Sequence, residues 1–393
     1  MSPAFVTAYT ATTAVGAGRA ALRAALLARR SGLAPNDFAD APVPGFVGRV
    51  AGVEDVALPA PLAAFDCRNH RLAWLGLAQD GFDAAVAAAR ARVGARRIAV
   101  VAGTSTSGIL TTELGYRART AGALPPSVRF AETHKFSALA RFLRAALALE
   151  GPAASISTAC SSSAKVFATA QRWLAAGLCD AAVVAGVDSL CGTTLYGFHS
   201  LQLVSRAPCR PFDAGRDGLS LGEGAGFALL ERAPAGARRL ALAGYGESAD
   251  AHHMSAPHPD GLGARLAMSA ALARAGLPAG AVGYVCAHGT ATRNNDAVEA
   301  RAIARVLGER TPVVSVKGAI GHLLGAAGIA SAVAALDSIE HGFVPGTANT
   351  AVVDPQCGAA VQLEPRARRV DAVLVNALGF GGNNASLVFA RLE

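Results

Sequence analysis

The chain has 393 residues, 52% apolar and 16% charged, with 43 glycines and a formal charge of +8. That length holds two ordinary domains or one large duplicated unit, and the apolar content supports a large buried core. No uncharged apolar run of about 18 residues stands outside small-residue helices interrupted by polar ones, so no membrane span is expected. The positive charge is not gathered into a basic run with interleaved aromatics, so nucleic acid is not an expected partner. A mildly positive surface suits an acidic protein or a phosphate-bearing substrate instead.

Arg19, Arg23, Arg29 and Arg30 precede the first acidic residue, Asp37, as in a transit peptide. Against that, Phe5–Thr12 reads as a strand and Gly18–Arg30 as a helix, which is how a fold begins. No basic segment precedes an apolar one, so no secretory signal is expected and the chain reads as cytoplasmic. The seven cysteines (67, 160, 179, 191, 209, 286 and 357) are odd in number and lack C-x-x-C spacing, which makes most of them inert core thiols in a reducing compartment.

A Pro/Gly segment, Gly32–Pro61, leads to a helical stretch, Phe65–Gln79, and a buried strand, Arg97–Gly103. The loop Gly103–Gly108 carries small hydroxyls; its amides could hold a phosphate, though it lacks the P-loop lysine. After a helix Phe136–Leu149 comes Ser155–Ala164, a short strand that ends in Cys160 and runs into a helix Ser161–Ala176. A helix N-terminus carries partial positive charge and favours a thiolate there. Taken alone, such a cysteine is more often a small buried residue.

Ala181–Val187 is another buried strand, followed by the glycine- and charge-rich stretches Cys209–Gly218 and Leu221–Gly226 and the strand Phe227–Glu231. Charged residues there must be paired if buried. The second half repeats the rhythm: strand Leu240–Glu247, helix Leu262–Gly276, strand Val282–His288, helix Asn295–Leu307, strand Val313–Val316 and helix Gly321–Glu340. It closes with strands Ala360–Leu363, Ala372–Leu378 and Ala385–Phe389. Alternating strands and helices make this an α/β chain of two βαβαβαββ copies, 1–240 and 241–393.

His288 and His322 each sit at a strand-to-helix junction beside a glycine, where a side chain reaches the cleft at a sheet edge. Either histidine alone reads most simply as a satisfied core residue. One cysteine and two histidines at corresponding junctions of a duplicated fold are harder to dismiss. Asn376–Asn384 adds a strand ending in a glycine loop whose free amides can face a site.

The motifs Thr-Ala-Cys-Ser-Ser-Ser (158–163), His-Gly-Thr-Ala-Thr (288–292), Val-Lys-Gly-Ala-Ile-Gly-His (316–322) and Gly-Phe-Gly-Gly-Asn-Asn (379–384) resemble those of the β-ketoacyl-[acyl carrier protein] synthases, condensing enzymes of the thiolase superfamily with a Cys-His-His triad. Arg-Pro-Phe-Asp (210–213) matches as well, and the resemblance covers essentially the whole chain. It implies the thiolase fold, a five-layer αβαβα sandwich, with the nucleophile in the first half and both histidines in the second. It also implies that Cys160 takes an acyl group from a carrier protein, and that His288 and His322 stabilise the enolate left when malonyl-carrier loses carbon dioxide. The enolate then attacks the acyl-Cys160 thioester, with the amides of Cys160 and Phe380 as the oxyanion hole.

Lys317 is expected as an electrostatic organiser paired with Glu299. Phe380 would gate the acyl pocket, Thr290 and Thr292 would hydrogen-bond the phosphopantetheine arm, and Gly381 would be a further substrate-binding residue. The resemblance implies no metal or redox cofactor, an acyl carrier protein as partner, and a homodimer, or a heterodimer with a chain-length factor, paired through the edge strand Ala154–Thr158. Arg68, Arg71 and Arg206 are candidates for carrier docking, and Pro125–Phe136 for shaping the acyl pocket. The compact segments 197–209 and 58–66 are similar to those of aryl polyene ketosynthases. The rival readings are an inactive chain-length-factor-like partner and a non-condensing acyltransferase or thioesterase.

Overall fold

The structure, a computed structural model, describes residues 3–232 and 240–392. The first half contributes strands β1 (Ala4–Thr13), β2 (Ile98–Gly103), β3 (Ala153–Ile156), β4 (Ala181–Asp188) and β5 (Gly224–Glu231). The second contributes β6 (Leu240–Ala249), β7 (Tyr284–Cys286), β8 (Pro312–Val314), β9 (Ala360–Val361), β10 (Ala372–Gly379) and β11 (Asn383–Arg391). Along the main sheet they run β9-β8-β7-β10-β11-β6-β1-β5-β4-β2-β3. Read outward from the middle, the halves match: an antiparallel pair of connections, then parallel ones. The seam between β1 and β6 is slight, Ala4 opposite Leu242 and Phe5 opposite Ala241.

The helices are α1 (Gly18–Leu27), α2 (Arg68–Leu77), α3 (Phe82–Val93), α4 (Ile109–Arg117), α5 (Ser137–Ala146), α6 (Ser162–Ala175), α7 (Gly192–Ser200), α8 (Leu262–Ala275), α9 (Arg293–Leu307) and α10 (Ala327–His341). Neighbouring residues of a strand face opposite ways, and the core divides accordingly. Val100 and Val183 pack outward with Leu72, Val86 and Leu143 of α2, α3 and α5. Val101 and Val184 face inward, where Phe167 of α6 and Val333 of α10 meet Val375 and Leu387 of the other half-sheet. Leu374 and Val388 then face outward to Met268 of α8 and Ile303 of α9. This is the thiolase fold, five layers of α/β/α/β/α. Strands buried on both faces appear in sequence as continuous apolar runs, which is why β2 and β4 were readable.

The middle layer admits no slack. A methyl group on Gly328 of α10 would stand 2.6 Å from the backbone nitrogen of Ala164 in α6. The Ile329 amide also donates to Ser163 Oγ at 3.0 Å. No helix among the described residues is long and apolar enough to cross a membrane.

The expected helix Gly321–Glu340 begins late. A single helical turn, Lys317–Ile320, ends at Gly321 with φ +79°, and α10 begins only at Ala327. Helices α4 and α7 were not foreseen; rich in threonine and glycine, they have weak intrinsic propensity and depend on packing.

Candidate active site

Cys160 lies in the turn between β3 and α6. Ala159, just before it, is left-handed with φ 50°, a conformation that costs a residue with a Cβ about 1–3 kcal/mol. Its carbonyl accepts from Ser162 Oγ at 2.6 Å and Ser105 Oγ at 3.1 Å, which hold the turn in place. The break after Gly321 frees His322 from any helix, and its Nε2 stands 3.0 Å from Cys160 Sγ. The His288 ring meets the His322 ring edge to face, 5.3 Å between centroids. All three side chains are at most 5% exposed.

A sulfur and two imidazole nitrogens within 4.8 Å of one another also have the spacing of a zinc site. The tautomers point elsewhere. The Leu324 amide donates to His322 Nδ1 at 3.3 Å, and Nδ1 of His288 faces the Lys317 ammonium at 3.4 Å. A ring nitrogen that accepts carries no proton, so each neutral imidazole keeps its proton on Nε2 and presents a donor rather than a metal ligand. Burial first, and then Lys317, push both histidines well below their usual pKa, so they stay neutral. The pair is built to donate.

Lys317, 2% exposed, donates to the carbonyl of His288. The Glu299 carboxylate accepts from the His288 amide (2.7 Å), the Gly289 amide (2.8 Å) and Asn376 Nδ2 (3.1 Å). The lysine and glutamate expected to pair directly therefore grip the main chain of His288 from both sides. Burial lowers the pKa of Lys317 and raises that of Glu299, while the charge of each favours ionisation of the other.

Burial pushes the Cys160 thiol up to about 11, against the pull of Lys317 and of the Phe380 and Cys160 amides, and Asp188 adds to the rise. The resting sulfur is thus a thiol, and desolvation outweighs the help expected from the helix start.

Above the triad opens a cavity of about 430 Å³ that also reaches Thr290, Thr292 and Phe380. The two threonine hydroxyls bond each other at 2.9 Å. The Phe380 ring leans on Phe198, 5.6 Å between centroids. Gly381 lies between the lining residues Phe380 and Gly382, and its amide donates to the Met254 carbonyl at 2.7 Å.

Of the docking candidates, Arg68 is withdrawn: its side chain is 9% exposed and bonded to Glu54 and Glu223. Arg71 is spent on Asp66 through two bonds of 2.6 Å, while Arg206 is exposed. Pro125–Phe136 packs on Ser107 and Gly108 rather than on the cavity, with Phe130 and Phe136 exposed. The buried charges of the glycine-rich stretches are paired, Arg216 with Asp296 and Asp354, and Glu223 with Arg68.

Sequence reasoning missed Phe198 and Asp188. The loop Gly103–Gly108 does bind an anion through its amides, but that anion is the carboxylate of Asp188. The available signal was an acidic residue ending an otherwise apolar strand.

Profiles of two families match the chain: "Beta-ketoacyl synthase, N-terminal domain" over residues 69–235 and "Beta-ketoacyl synthase, C-terminal domain" over 240–351. The 3-oxoacyl-[acyl-carrier-protein] synthase 2 of Vibrio cholerae is 37% identical over 319 residues, 76% of this chain and 77% of that one. The protein of the same name from Rhizobium meliloti is 39% identical over 262 residues, 62% of each chain. Among solved structures, a ketosynthase in complex with its chain length factor from Xenorhabdus doucetiae superposes with a TM-score of 0.88 at 33% identity, covering 100% of this chain and 98% of that one.

Proposed function

Because the chain belongs to the β-ketoacyl synthase family, acyltransferases of the 3-oxoacyl-[acyl-carrier-protein] synthase type, we propose that Cys160, His288 and His322 perform its decarboxylative Claisen condensation. The observation that carries this assignment is the contact of His322 Nε2 with Cys160 Sγ, beside a second histidine of the same tautomer.

In the first half-reaction Cys160 attacks an acyl-carrier thioester; the carrier's thiol leaves with the proton, and the acyl group stays on sulfur. Malonyl-carrier enters through the cavity, its arm beside Thr290 and Thr292. The bond to the carboxylate breaks, carbon dioxide departs, and the electron pair moves onto an enolate whose oxygen accepts from both Nε2–H groups. The enolate carbon attacks the acyl carbon, the oxyanion rests on the Cys160 and Phe380 amides, and the thiolate leaves. The product is a 3-ketoacyl chain two carbons longer. Lys317 and Glu299 position His288, and Phe380 with Phe198 gates the acyl side. No metal or redox cofactor enters this scheme, because loss of carbon dioxide drives it.

We assign residues 1–240 to the half that carries the nucleophile and 241–393 to the half that carries the histidines. The acyl carrier protein is the partner, with Arg206 the remaining docking candidate, and the cytoplasm the compartment; seven free cysteines agree with a reducing one. Dimerisation, with a second copy or with a chain-length factor, would run through the free edge of β3. An intact triad favours the active member of any such pair. Extension of an aryl polyene is the finer reading, resting on the compact segments 197–209 and 58–66.

Release of labelled carbon dioxide from malonyl-carrier tests the condensation. Acylation of Cys160 without such release would leave only a non-condensing acyltransferase. Intact mass of the protein from cells identifies the acyl group, and Cys160→Ala should carry none.

A further inference from the structure

Asp188, the last residue of β4, is fully buried and accepts six hydrogen bonds. Four of its five donors belong to the loop after β2: the Thr104 hydroxyl (2.6 Å), the Ser105 amide (2.9 and 3.0 Å to the two oxygens), and the Thr106 amide (2.9 Å) and hydroxyl (2.8 Å). The fifth donor, at 2.6 Å, is the Gly325 amide, three residues beyond His322. Both turns that carry the reacting groups are tied to this one carboxylate. Ser105 passes the tie to Ala159 and so to Cys160. Gly325 passes it to Leu324, a left-handed residue (φ 52°) whose amide donates to His322 Nδ1. The fit is close, since a methyl group on Gly325 would stand 2.7 Å from Asp188 Oδ2 and 2.7 Å from Ser105 Oγ.

We propose that Asp188 is a positioning residue that fixes His322 against Cys160 across the boundary between the halves. Two strained turns contributed by different halves would otherwise relax independently, and a buried carboxylate with five donors is the strongest local restraint available to both. This rests on the condensing role assigned above to His322, but the geometry it concerns can be read without any carrier substrate.

Two mutant cycles test it. In the first, Gly325→Ala, which leaves the Asp188 charge in place, is combined with His322→Ala, and alkylation of Cys160 by iodoacetamide is followed by peptide mass. Loss of the Nε2–H contact should slow alkylation about tenfold in either single variant. The double variant should be slower than His322→Ala by much less than tenfold, because the methyl acts chiefly through the ring and only secondarily through Ser105. In the second cycle Asp188→Asn replaces Gly325→Ala and carbon dioxide release from malonyl-carrier is followed. Asp188→Asn should lower kcat at least tenfold, leave KM for the carrier within about twofold, and cost nothing further without His322. Additive losses in either cycle, or an unaltered Gly325→Ala, would overturn the proposal. If Asp188→Asn does not fold, the Gly325→Ala cycle decides alone. If wild type releases no carbon dioxide, the functional reading fails while the alkylation cycle still judges the tie.

Discussion

The ammonium of Lys317 stands 3.4 Å from Nδ1 of His288 and donates to the carbonyl of the same residue. One side chain therefore sets both where that histidine stands and which of its nitrogens keeps the proton. Replacing it by methionine should free the tautomer. The expected result is a fall of about 10²-fold in carbon dioxide release from malonyl-carrier, the scale seen when one oxyanion donor is lost. Acyl transfer to Cys160 should fall much less, and comparing the two half-reactions checks this.

His288→Ala and His322→Ala should each lower decarboxylation by about 10²- to 10³-fold, since each removes one Nε2–H donor to the same enolate oxygen. Quenched-flow measurement of carbon dioxide release is the check. A loss confined to acylation would reassign the histidine concerned.

Cys160 should behave as a buried thiol. With its pKa pushed up to about 11, the thiolate fraction and the rate of iodoacetamide alkylation should rise about tenfold per pH unit from pH 7 to pH 10. Lys317→Met removes a nearby positive charge that favours the thiolate, so the variant should be slower at every pH in that range. A rate already flat at pH 7 would show a thiolate at rest.

His70 supplies a pH-dependent part of the stability. Its ring is stacked on Phe142 at 4.7 Å and bonds the Phe65 carbonyl, its Nε2 is buried without a partner among the described residues, and burial lowers its pKa to about 4. A histidine depressed below its unfolded value contributes stability above about pH 6.5 that is lost as pH falls toward 4. His70→Phe keeps the stacked ring and removes the titration. Between pH 7.5 and pH 5 it should lose about 2 kcal/mol less than wild type, measured by urea unfolding at both values.

Among the described residues, strand β3 has one free edge. Val100 donates to the carbonyl of Pro152 and Thr104 to that of Ile156, so even-numbered residues face β2 and Ser155 turns its amide outward. Ser155→Pro removes that outward donor without breaking a bond to β2. It should dissociate a dimer paired through this edge, seen as a halved mass by light scattering with an unchanged circular dichroism spectrum.

Much of this was legible in the sequence because each signal was local. Continuous apolar runs marked β2, β4 and β10, and the glycines beside His288 and His322 marked turns at strand ends. The rest depends on contacts between distant segments. That Asp188 would fill the hydroxyl loop, that Arg68 would be buried on Glu223, and that Lys317 and Glu299 would meet at a main chain rather than at each other involve separations of 18 to 155 residues, for which no periodicity speaks. The state of Cys160 escaped for a related reason: a helix start is visible in sequence, but the depth of burial that outweighs it is not.

The contact of Gly328 with Ala164 bears on how such a protein can change over evolutionary time. Where two helices cross with no room for a methyl group, a substitution shifts one half against the other, and with it the distance from sulfur to imidazole. The rim of the cavity, by contrast, includes loop residues such as Ser255 and Pro257 that can be exchanged without moving that crossing. New substrates are therefore reached by altering the rim while the crossing stays invariant. A directed-evolution library aimed at acyl preference should retain most active clones at the rim and almost none at the crossing.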